Sequence, residues 1–273
     1  MNHLSFSVEP ADVSIITLTT DFGTGSPYVA AMKGSILSVN PQATLIDLTH
    51  EVPAQDVRKG AVVLDNVTGQ FPDDTIHVVV IDPGVGTERA ILYALIGGQQ
   101  YIAPDNGLLS RLAERIMPSK LIRLTEPQFW ADEVSATFHG RDIMGPAAAH
   151  LSLGVQAERL GMPVESLAGL HWPEVRQSPL RLEGEVLEID SFGNLITNIT
   201  ADMLAGRPTD ERVFIVCNIY ETSGIYRTYA EQLSGTFVAV VGSTNRLELA
   251  LVGSNAAKRL GIEVGSPVVL SWE

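Results

Sequence analysis

The stretch "TIHVVVIDPGVGTER" (residues 75–89) begins with a run of apolar, mostly β-branched residues and turns polar at Asp82. A short apolar run bounded by turn residues is typical of a strand buried on both faces of a parallel sheet. The run therefore predicts a central strand over residues 75–81. Asp82 is predicted to lie just beyond the carboxyl end of that strand.

The segments around this strand alternate between strand and helix patterns. "SIITLTT" (14–20) and "ATLIDL" (43–48) predict two more strands, and residues 90–96 and 100–104 predict a hairpin across Gly97-Gly98. This β-α-β-α-β order predicts an α/β domain with a largely parallel central sheet. Three groups of apolar residues have helical spacing: Val29, Met32, Ile36 and Val39; Val57, Ala61 and Leu64; Leu109, Leu112 and Ile116.

The second half of the chain has a different pattern. Residues 166–179 contain Pro173 and Pro179 and are predicted to be a linker. Short apolar runs separated by Gly, Asn and Asp follow at even spacing, which is typical of a small sandwich or barrel. We therefore expect an N-terminal α/β domain over residues 1–165 and a small all-β barrel domain over residues 180–273.

Composition excludes several classes of protein. The 273-residue chain carries 32 acidic and 18 basic residues, a formal net charge of −14, which disfavours nucleic acid and anionic membranes as partners. Cys217, the single cysteine, can form no internal disulfide, which favours a cytoplasmic location. The first fourteen residues lack the charge pattern of a secretory leader. No run approaches the roughly 18 apolar residues of a membrane span.

Polar residues are predicted to gather at one edge of the parallel sheet. Ligands bind beyond the carboxyl ends of parallel strands, and Asp21, Asp82, Asp105 and His139 each follow a predicted strand. Each aspartate could also be an ordinary turn residue without a role in ligand binding. Three aspartates and a histidine at one edge favour a functional site. Asp142 could instead cap the following helix or, with Arg141, form ion pairs at its start.

Known motifs narrow the chemistry. The stretch "DPGVGTER" (82–89) has neither the glycine spacing of a dinucleotide fingerprint nor the Gly-Lys-Ser/Thr of a P-loop. Gly-x-Ser-x-Gly and His-Glu-x-x-His are absent from the sequence. A metal-dependent hydrolase remains an alternative, since five residues could form a carboxylate–imidazole ligand set: Asp21, Asp82, Asp105, His139 and Asp142.

Two stretches of the second domain could recognise a polar small molecule. "DSFGNLITNI" (190–199) and "GSTNRLELA" (242–250) place hydroxyl, amide and carboxylate groups beside glycines. Hairpin turns use the same residue types, and spacing alone favours the turn interpretation.

Taken together, these stretches resemble one family. "TTDFG", "DPGVGTER", "APDNGLL", "FHGRD", "DSFGNLITNI" and "GSTNRLELA" occur in the order typical of S-adenosyl-L-methionine hydroxide adenosyltransferases. These adenosine-forming hydrolases are related to the fluorinase and chlorinase enzymes. The resemblance implies water or hydroxide attack on the ribose C5′ of S-adenosylmethionine, giving adenosine and L-methionine, with no metal or other cofactor.

The resemblance also implies roles for individual residues. Asp82, Arg89 and His139 match the catalytic residues. Asp21 matches the ribose-binding aspartate. The remaining substrate contacts fall in the second domain: Asp190 for the methionine ammonium, Ser243 near its carboxylate, Asn194 for adenine, and the backbone of Val252 and Gly253 at the adenine edge. Thr244 stands where the halogenating relatives have an arginine, a departure that affects carboxylate binding.

The family further implies a homotrimer, with each active site between the N-terminal domain of one subunit and the C-terminal domain of the next. Two alternatives besides the metal-dependent hydrolase remain. The first is a halide-using transferase of the same superfamily, and the second is a nucleoside- or sulfonium-binding module without catalysis.

Overall fold

The computed structural model describes residues 14–273. The expectation that the chain does not begin with a secretory leader concerns residues before this range. The chain forms two compact units, one ending at Leu170 and the other beginning at His171. This division falls inside the segment 166–179 predicted to be a linker. Among residues 14–273, no helix is both long and apolar enough to cross a membrane.

A seven-stranded sheet flanked by helices forms the first unit. Its strands are β1 (Ile15–Thr20), β2 (Thr44–Thr49), β3 (Ile76–Val80), β4 (Ile91–Ile96), β5 (Gln99–Pro104), β6 (Lys120–Leu124) and β7 (Gly161–Pro163). Its α-helices are α1 (Pro27–Val39), α2 (Val57–Val67), α3 (Ser110–Arg115) and α4 (Gly145–Ser152). A π-helical turn over Gly140–Met144 leads directly into α4.

The strand order β2-β1-β3-β5-β4-β6-β7 confirms the predicted α/β sheet. Strand β1 runs parallel to β2 and β3, and β3 runs parallel to β5. The predicted hairpin is also confirmed, since β4 pairs antiparallel with β5 across Gly97-Gly98. This hairpin reverses the chain direction, so the β4, β6 and β7 side of the sheet is antiparallel.

Strand β3 is buried along its whole length, as its apolar run predicts. Ile76, Val78 and Val80 face a core shared with α1 and α4, whereas Val79 and Ile81 face a second core shared with α2 and α3. Most residues of the three predicted helical faces are buried, while Val39 and Val57 are half-buried. Ile116 is an exception, because α3 ends at Arg115 and the Ile116 side chain is 44% exposed.

The second unit is a nearly closed antiparallel sheet, as expected for the barrel domain. Its strands are β8 (Arg176–Ser178), β9 (Arg181–Ile189), β10 (Leu195–Thr200), β11 (Val213–Cys217), β12 (Tyr220–Ser223), β13 (Phe237–Val241), β14 (Arg246–Leu251) and β15 (Pro267–Trp272). Short helices α5 (Ala201–Leu204) and α6 (Ala256–Leu260) connect them. The strand order is β12-β11-β15-β9-β10-β14-β13, with β8 beside β9.

The interior of the second unit is apolar, with leucine, valine and isoleucine from the facing strands. Cys217 is fully buried among them, and burial raises the pKa of its thiol to about 11. The cysteine is therefore a small core residue, as predicted.

One buried polar chain crosses the core of the first unit. The Gln99 amide donates to the Phe71 carbonyl (2.9 Å), so the Gln99 carbonyl oxygen is left to accept from Nε2–H of His77 (3.2 Å). Nδ1 of His77 then accepts from the Thr17 hydroxyl (2.7 Å). Every hydrogen-bonding atom of the neutral imidazole is thus satisfied. Burial lowers the pKa of His77 from 6.5 to about 4.

This imidazole makes the stability of the protein pH-dependent. Between pH 6.5 and about 4 the unfolded chain binds a proton at His77 that the folded chain does not bind, so stability falls as pH falls. The difference amounts to about 3 kcal/mol at the acid end. Urea unfolding of the native chain and of His77→Gln at several pH values measures it.

The variant isolates the contribution of His77, because carboxylates that titrate in the same range remain in both proteins. We expect the difference in unfolding free energy between the two proteins to shrink as pH falls to 4. A pH-independent difference would contradict this role.

Candidate active site

Three of the predicted site residues meet at the carboxyl end of β3. Arg89 donates from Nε to one carboxylate oxygen of Asp82 (2.8 Å) and from Nη2 to the other. The same Nη2 lies 3.0 Å from Nδ1 of His139. The side chains of Arg89 and Asp82 are only 11% and 4% exposed. The guanidinium therefore joins a buried carboxylate to an imidazole.

This arrangement sets the proton position on His139. A guanidinium only donates hydrogen bonds, so Nδ1 accepts and the neutral ring carries its proton on Nε2. Burial lowers the pKa of His139, and the adjacent Arg89 cation lowers it further. The ring is therefore neutral at physiological pH and has a donor, Nε2–H, with no hydrogen-bond partner among residues 14–273.

Two loops bring these side chains together. The loop after β3 carries Asp82 and Arg89, and the other precedes the π-helical turn and carries His139. The prediction that His139 follows a strand is wrong, because residues 134–138 form a loop. Gly86 has φ +78°, and a Cβ there would collide with the Ala136 carbonyl, so only glycine permits this contact between the loops. The amide of Asn106 donates to the Ile81 carbonyl (2.9 Å), which holds the backbone next to Asp82.

The other predicted strand-end residues have separate partners. Strand pairing places Asp21 at the same sheet edge as Asp82, since Thr20 is paired with Val80. One Asp21 oxygen accepts from the backbone N–H of Gln55 (2.7 Å). Asp105 accepts from the backbone of Ala168 (2.7 Å). Asp105 is therefore bound to the backbone rather than joined to the Asp82–Arg89–His139 group.

Asp142 lies inside the π-helical turn and caps no helix, which corrects that part of the sequence interpretation. Its carboxylate pairs with Arg141 (2.5 Å) and accepts from the backbone of Ser135 (2.9 Å). The ion-pair alternative is the one observed. Within the described chain, no group of three or more His, Cys, Asp or Glu residues is arranged to hold a metal ion.

In the second unit, the turn between β9 and β10 is built around Asp190. One oxygen of its carboxylate accepts from the backbone N–H groups of Phe192 (2.9 Å) and Asn194 (2.8 Å), and the other accepts from the Asn194 amide (2.9 Å). The turn interpretation of this stretch is therefore confirmed. Asp190 shapes a turn, and the turn presents both side chains to a cavity.

That cavity has a volume of about 830 Å³, which is within the usual range for a small-molecule site. All five residues predicted to bind substrate in the second domain line it: Asp190, Asn194, Ser243, Val252 and Gly253. Thr244 does not line it, and its hydroxyl is buried without a hydrogen-bond partner.

Three lining residues with ionisable side chains were not predicted from the sequence: Tyr229, Glu248 and Arg227. Tyr229 donates to the carboxylate of Glu248 (2.5 Å). Burial raises the pKa of Glu248, and the nearby Asp190 carboxylate raises it further. Glu248 lies between the core residues Leu247 and Leu249 on β14, a strand that is buried on both faces. A charged residue within such an apolar run is the sequence feature that could have indicated a functional role for Glu248.

Arg227 is the third of these ionisable residues and, among residues 14–273, the only basic side chain that lines the cavity. Tyr226 forms a parallel β-bridge with Val240, so Arg227 lies beside the end of β13, two residues before Ser243. Within the described residues Arg227 has no ion-pair or hydrogen-bond partner. The cavity thus presents one unpaired cation together with two carboxylates.

Both halves of the chain are similar to domains of one known family. Residues 16–161 match the SAM hydroxide adenosyltransferase N-terminal domain, and residues 184–269 match the C-terminal domain of the same family. The chain belongs to the SAM hydroxide adenosyltransferase family.

Individual relatives agree with this assignment. The (R)-S-adenosyl-L-methionine hydrolase of Thermus thermophilus is 38% identical, with 92% of this chain and 97% of the relative aligned. A fluorinase from an Actinoplanes species is more distant, at 28% identity over 68% of this chain and 71% of the relative. An uncharacterized conserved protein of Thermotoga maritima has the same fold, with a TM-score of 0.89, 32% identity, and coverage of 94% of this chain and 99% of that one.

Proposed function

We propose that this enzyme hydrolyses S-adenosyl-L-methionine at the ribose C5′ and releases adenosine and L-methionine. The observation that carries the proposal is the guanidinium of Arg89 bound to both Asp82 and His139. The names of the hydrolase relatives support the same substrate, and we extend the proposal to its (R) epimer at sulfur.

The proposed hydrolysis requires activation of the attacking water and no acid to protonate the leaving group. A C5′–O bond forms as the C5′–S bond breaks, and the sulfonium sulfur keeps the bonding pair and leaves as a neutral thioether. Water is a weak nucleophile, with a pKa of about 15.7. The site must therefore orient a water molecule in line with C5′–S and accept its proton.

The hydrogen-bond pattern supports different tasks for different residues. Nε2–H of His139 donates to the water oxygen, because Nδ1 of the same ring is bound by Arg89. His139 in this tautomer has no free lone pair for a proton. The Asp82 carboxylate accepts the proton, and Arg89 holds the carboxylate and ring in place.

The cavity residues suit the rest of the substrate. Asn194 and the backbone at Val252 and Gly253 bind adenine, and Asp21 binds the ribose hydroxyls. Asp190 binds the methionine ammonium. The carboxylate is bound by Ser243 and by Arg227, which supplies the cation that Thr244 does not.

Product analysis tests the function directly. The purified chain is incubated with each sulfur epimer of S-adenosylmethionine, with and without EDTA, chloride or fluoride, and nucleosides are separated by chromatography. Adenosine and methionine formed independently of EDTA and halide support the proposal. A halogenated nucleoside would indicate the transferase, loss of activity in EDTA a metal-dependent hydrolase, and adenosine binding without turnover a binding module.

Asp82→Asn removes the proton acceptor while it retains the shape of the side chain. We expect kcat to fall by about 10²–10⁴-fold while the Kd for S-adenosylmethionine changes little. Single-turnover rates and equilibrium binding separate the two effects. Normal turnover at saturation, with weakened binding only, would contradict the assignment.

The pH–rate profile tests His139 separately. Because its pKa lies below 6.5, the rate should fall only on the acid side of pH 6.5, where a proton on Nδ1 would face the Arg89 cation. His139→Gln retains an N–H donor but does not titrate, so this acid limb should shift to lower pH. An unchanged acid limb in the variant would exclude His139 as its source.

Arg227 is tested with a substrate that lacks the carboxylate. Arg227→Met should raise the KM for S-adenosylmethionine about tenfold, consistent with loss of one charged hydrogen-bonding partner, and should leave the KM for decarboxylated S-adenosylmethionine unchanged. Arg259→Met, on α6 and outside the cavity lining, is the matched control. Equal losses with both substrates would contradict a carboxylate-binding role.

We further propose that the protein is a cytoplasmic homotrimer whose active sites combine the first unit of one subunit with the second unit of the next. The family resemblance and the buried, unpaired Cys217 support this proposal. Light scattering on the purified chain measures the mass of the assembly.

Mixing two inactive variants tests shared sites. Asp82→Asn disables the first unit, and Ser243→Trp fills the cavity of the second from an exposed position. After co-refolding at equal amounts, roughly a quarter of the sites should combine two intact halves if each site spans two subunits. Sites formed within one chain would remain inactive in the mixture.

A further inference from the structure

Behind Asp21 lies a chain of polar contacts that the proposed reaction does not use. Thr20, the last residue of β1, is fully buried, and its hydroxyl oxygen accepts from the backbone N–H of Phe22 (3.2 Å). The same oxygen lies 2.9 Å from Nδ1 of His50. On the other side of the ring, Nε2 lies 3.0 Å from Asp47, whose second oxygen accepts from Lys33 (2.6 Å).

The proton positions along this chain follow from its ends. Burial opposes ionisation of Asp47, but the hydrogen bond from Lys33 and the neighbouring His50 ring lower its pKa, so it is a carboxylate. Nε2 of His50 lies 3.0 Å from this carboxylate without the alignment of a hydrogen bond. A lone pair on Nε2 would face the negative charge, so the contact favours the tautomer with the proton on Nε2, in which Nδ1 accepts from the Thr20 hydroxyl. The chain thus has one consistent direction, from the backbone beside Asp21 to a carboxylate in β2.

The same region restrains Asp21 from its other side. The backbone N–H of Gly23 donates to the His50 carbonyl (2.7 Å), and the N–H of Gln55 donates to one oxygen of Asp21 (2.7 Å). Gln55 has φ +65°, an uncommon conformation for a residue with a side chain. The second oxygen of Asp21 has no partner among residues 14–273.

We propose that Thr20 and His50 are positioning residues that hold the free oxygen of Asp21 in the direction needed to bind two neighbouring ribose hydroxyls. The inference rests on the proposed function, in which Asp21 binds the ribose. Neither residue has to touch the substrate. Thr20 fixes the backbone that follows Asp21, and His50 fixes both the Thr20 hydroxyl and, through its carbonyl, Gly23.

The test compares adenosine with 2′,3′-dideoxyadenosine, which lacks the two hydroxyls. Thr20→Val keeps the shape of the side chain and removes the hydroxyl. We expect it to weaken adenosine binding about tenfold and to leave dideoxyadenosine binding unchanged, as measured by calorimetry on the full chain. A merely structural defect would weaken both ligands alike and would overturn the proposal.

The neighbouring residue provides a matched control. Thr19 is also fully buried on β1, but its hydroxyl has no hydrogen-bond partner in the part of the chain that the structure describes, so Thr19→Val should leave the preference for adenosine intact. Thr20→Ser restores a hydroxyl and should restore the preference. If Thr20→Val does not fold, His50→Phe breaks the same chain one residue further on and should give the same tenfold loss.

Asp21→Asn distinguishes this inference from the proposed function. If Asp21→Asn leaves the preference for adenosine unchanged, Asp21 does not bind ribose, and both the ribose assignment and this inference fail. If Asp21→Asn abolishes the preference while Thr20→Val and His50→Phe retain it, the ribose assignment stands and the positioning role is overturned.

Discussion

The guanidinium of Arg89 donates hydrogen bonds to a carboxylate and to an imidazole at the same time, and the two loops of the first unit that carry these groups must pack together to allow it. Asp82 is almost completely buried, and a buried carboxylate without a cation would be strongly destabilising. Asp82 and Arg89 are brought together by the loop after β3. His139 comes from a distant part of the chain, so the loop that carries it must pack closely on the first.

That close packing accounts for local features that would otherwise look irregular. Gly86 has a positive φ, and the neighbouring loop leaves no room for a side chain, so this position requires glycine on both grounds. The backbone after His139 forms a π-helical turn before α4 begins. Turns of this kind are frequent at functional sites. Asp142 and Arg141 lie within it, and the Asp142 carboxylate pairs with Arg141 and accepts from the backbone N–H of Ser135, which ties the turn to the preceding loop.

The second unit also contains a buried carboxylate, which is stabilised by a hydroxyl group instead of a guanidinium. Strand β14 is buried on both faces, so Glu248 needs a hydrogen-bond partner, and Tyr229 supplies one. Gly242 leaves the space that the Glu248 side chain occupies, since a Cβ there would collide with it. The resulting cavity has carboxylates and a single unpaired cation, Arg227, which suits a ligand that carries charges of both signs.

The sequence alone determined the order of strands and helices and the edge of the sheet where the site lies. Apolar runs such as that of β3 must be buried, and parallel strands end at one edge, so Asp21 and Asp82 had to share it. Family motifs then indicated Arg89 and His139. The tertiary structure alone decided which atoms bind, including the tautomers of His77 and His139, the Tyr229–Glu248 pair and the position of Arg227. Those contacts join residues far apart in the chain, and local patterns of hydrophobicity contain no information about which distant side chains will meet.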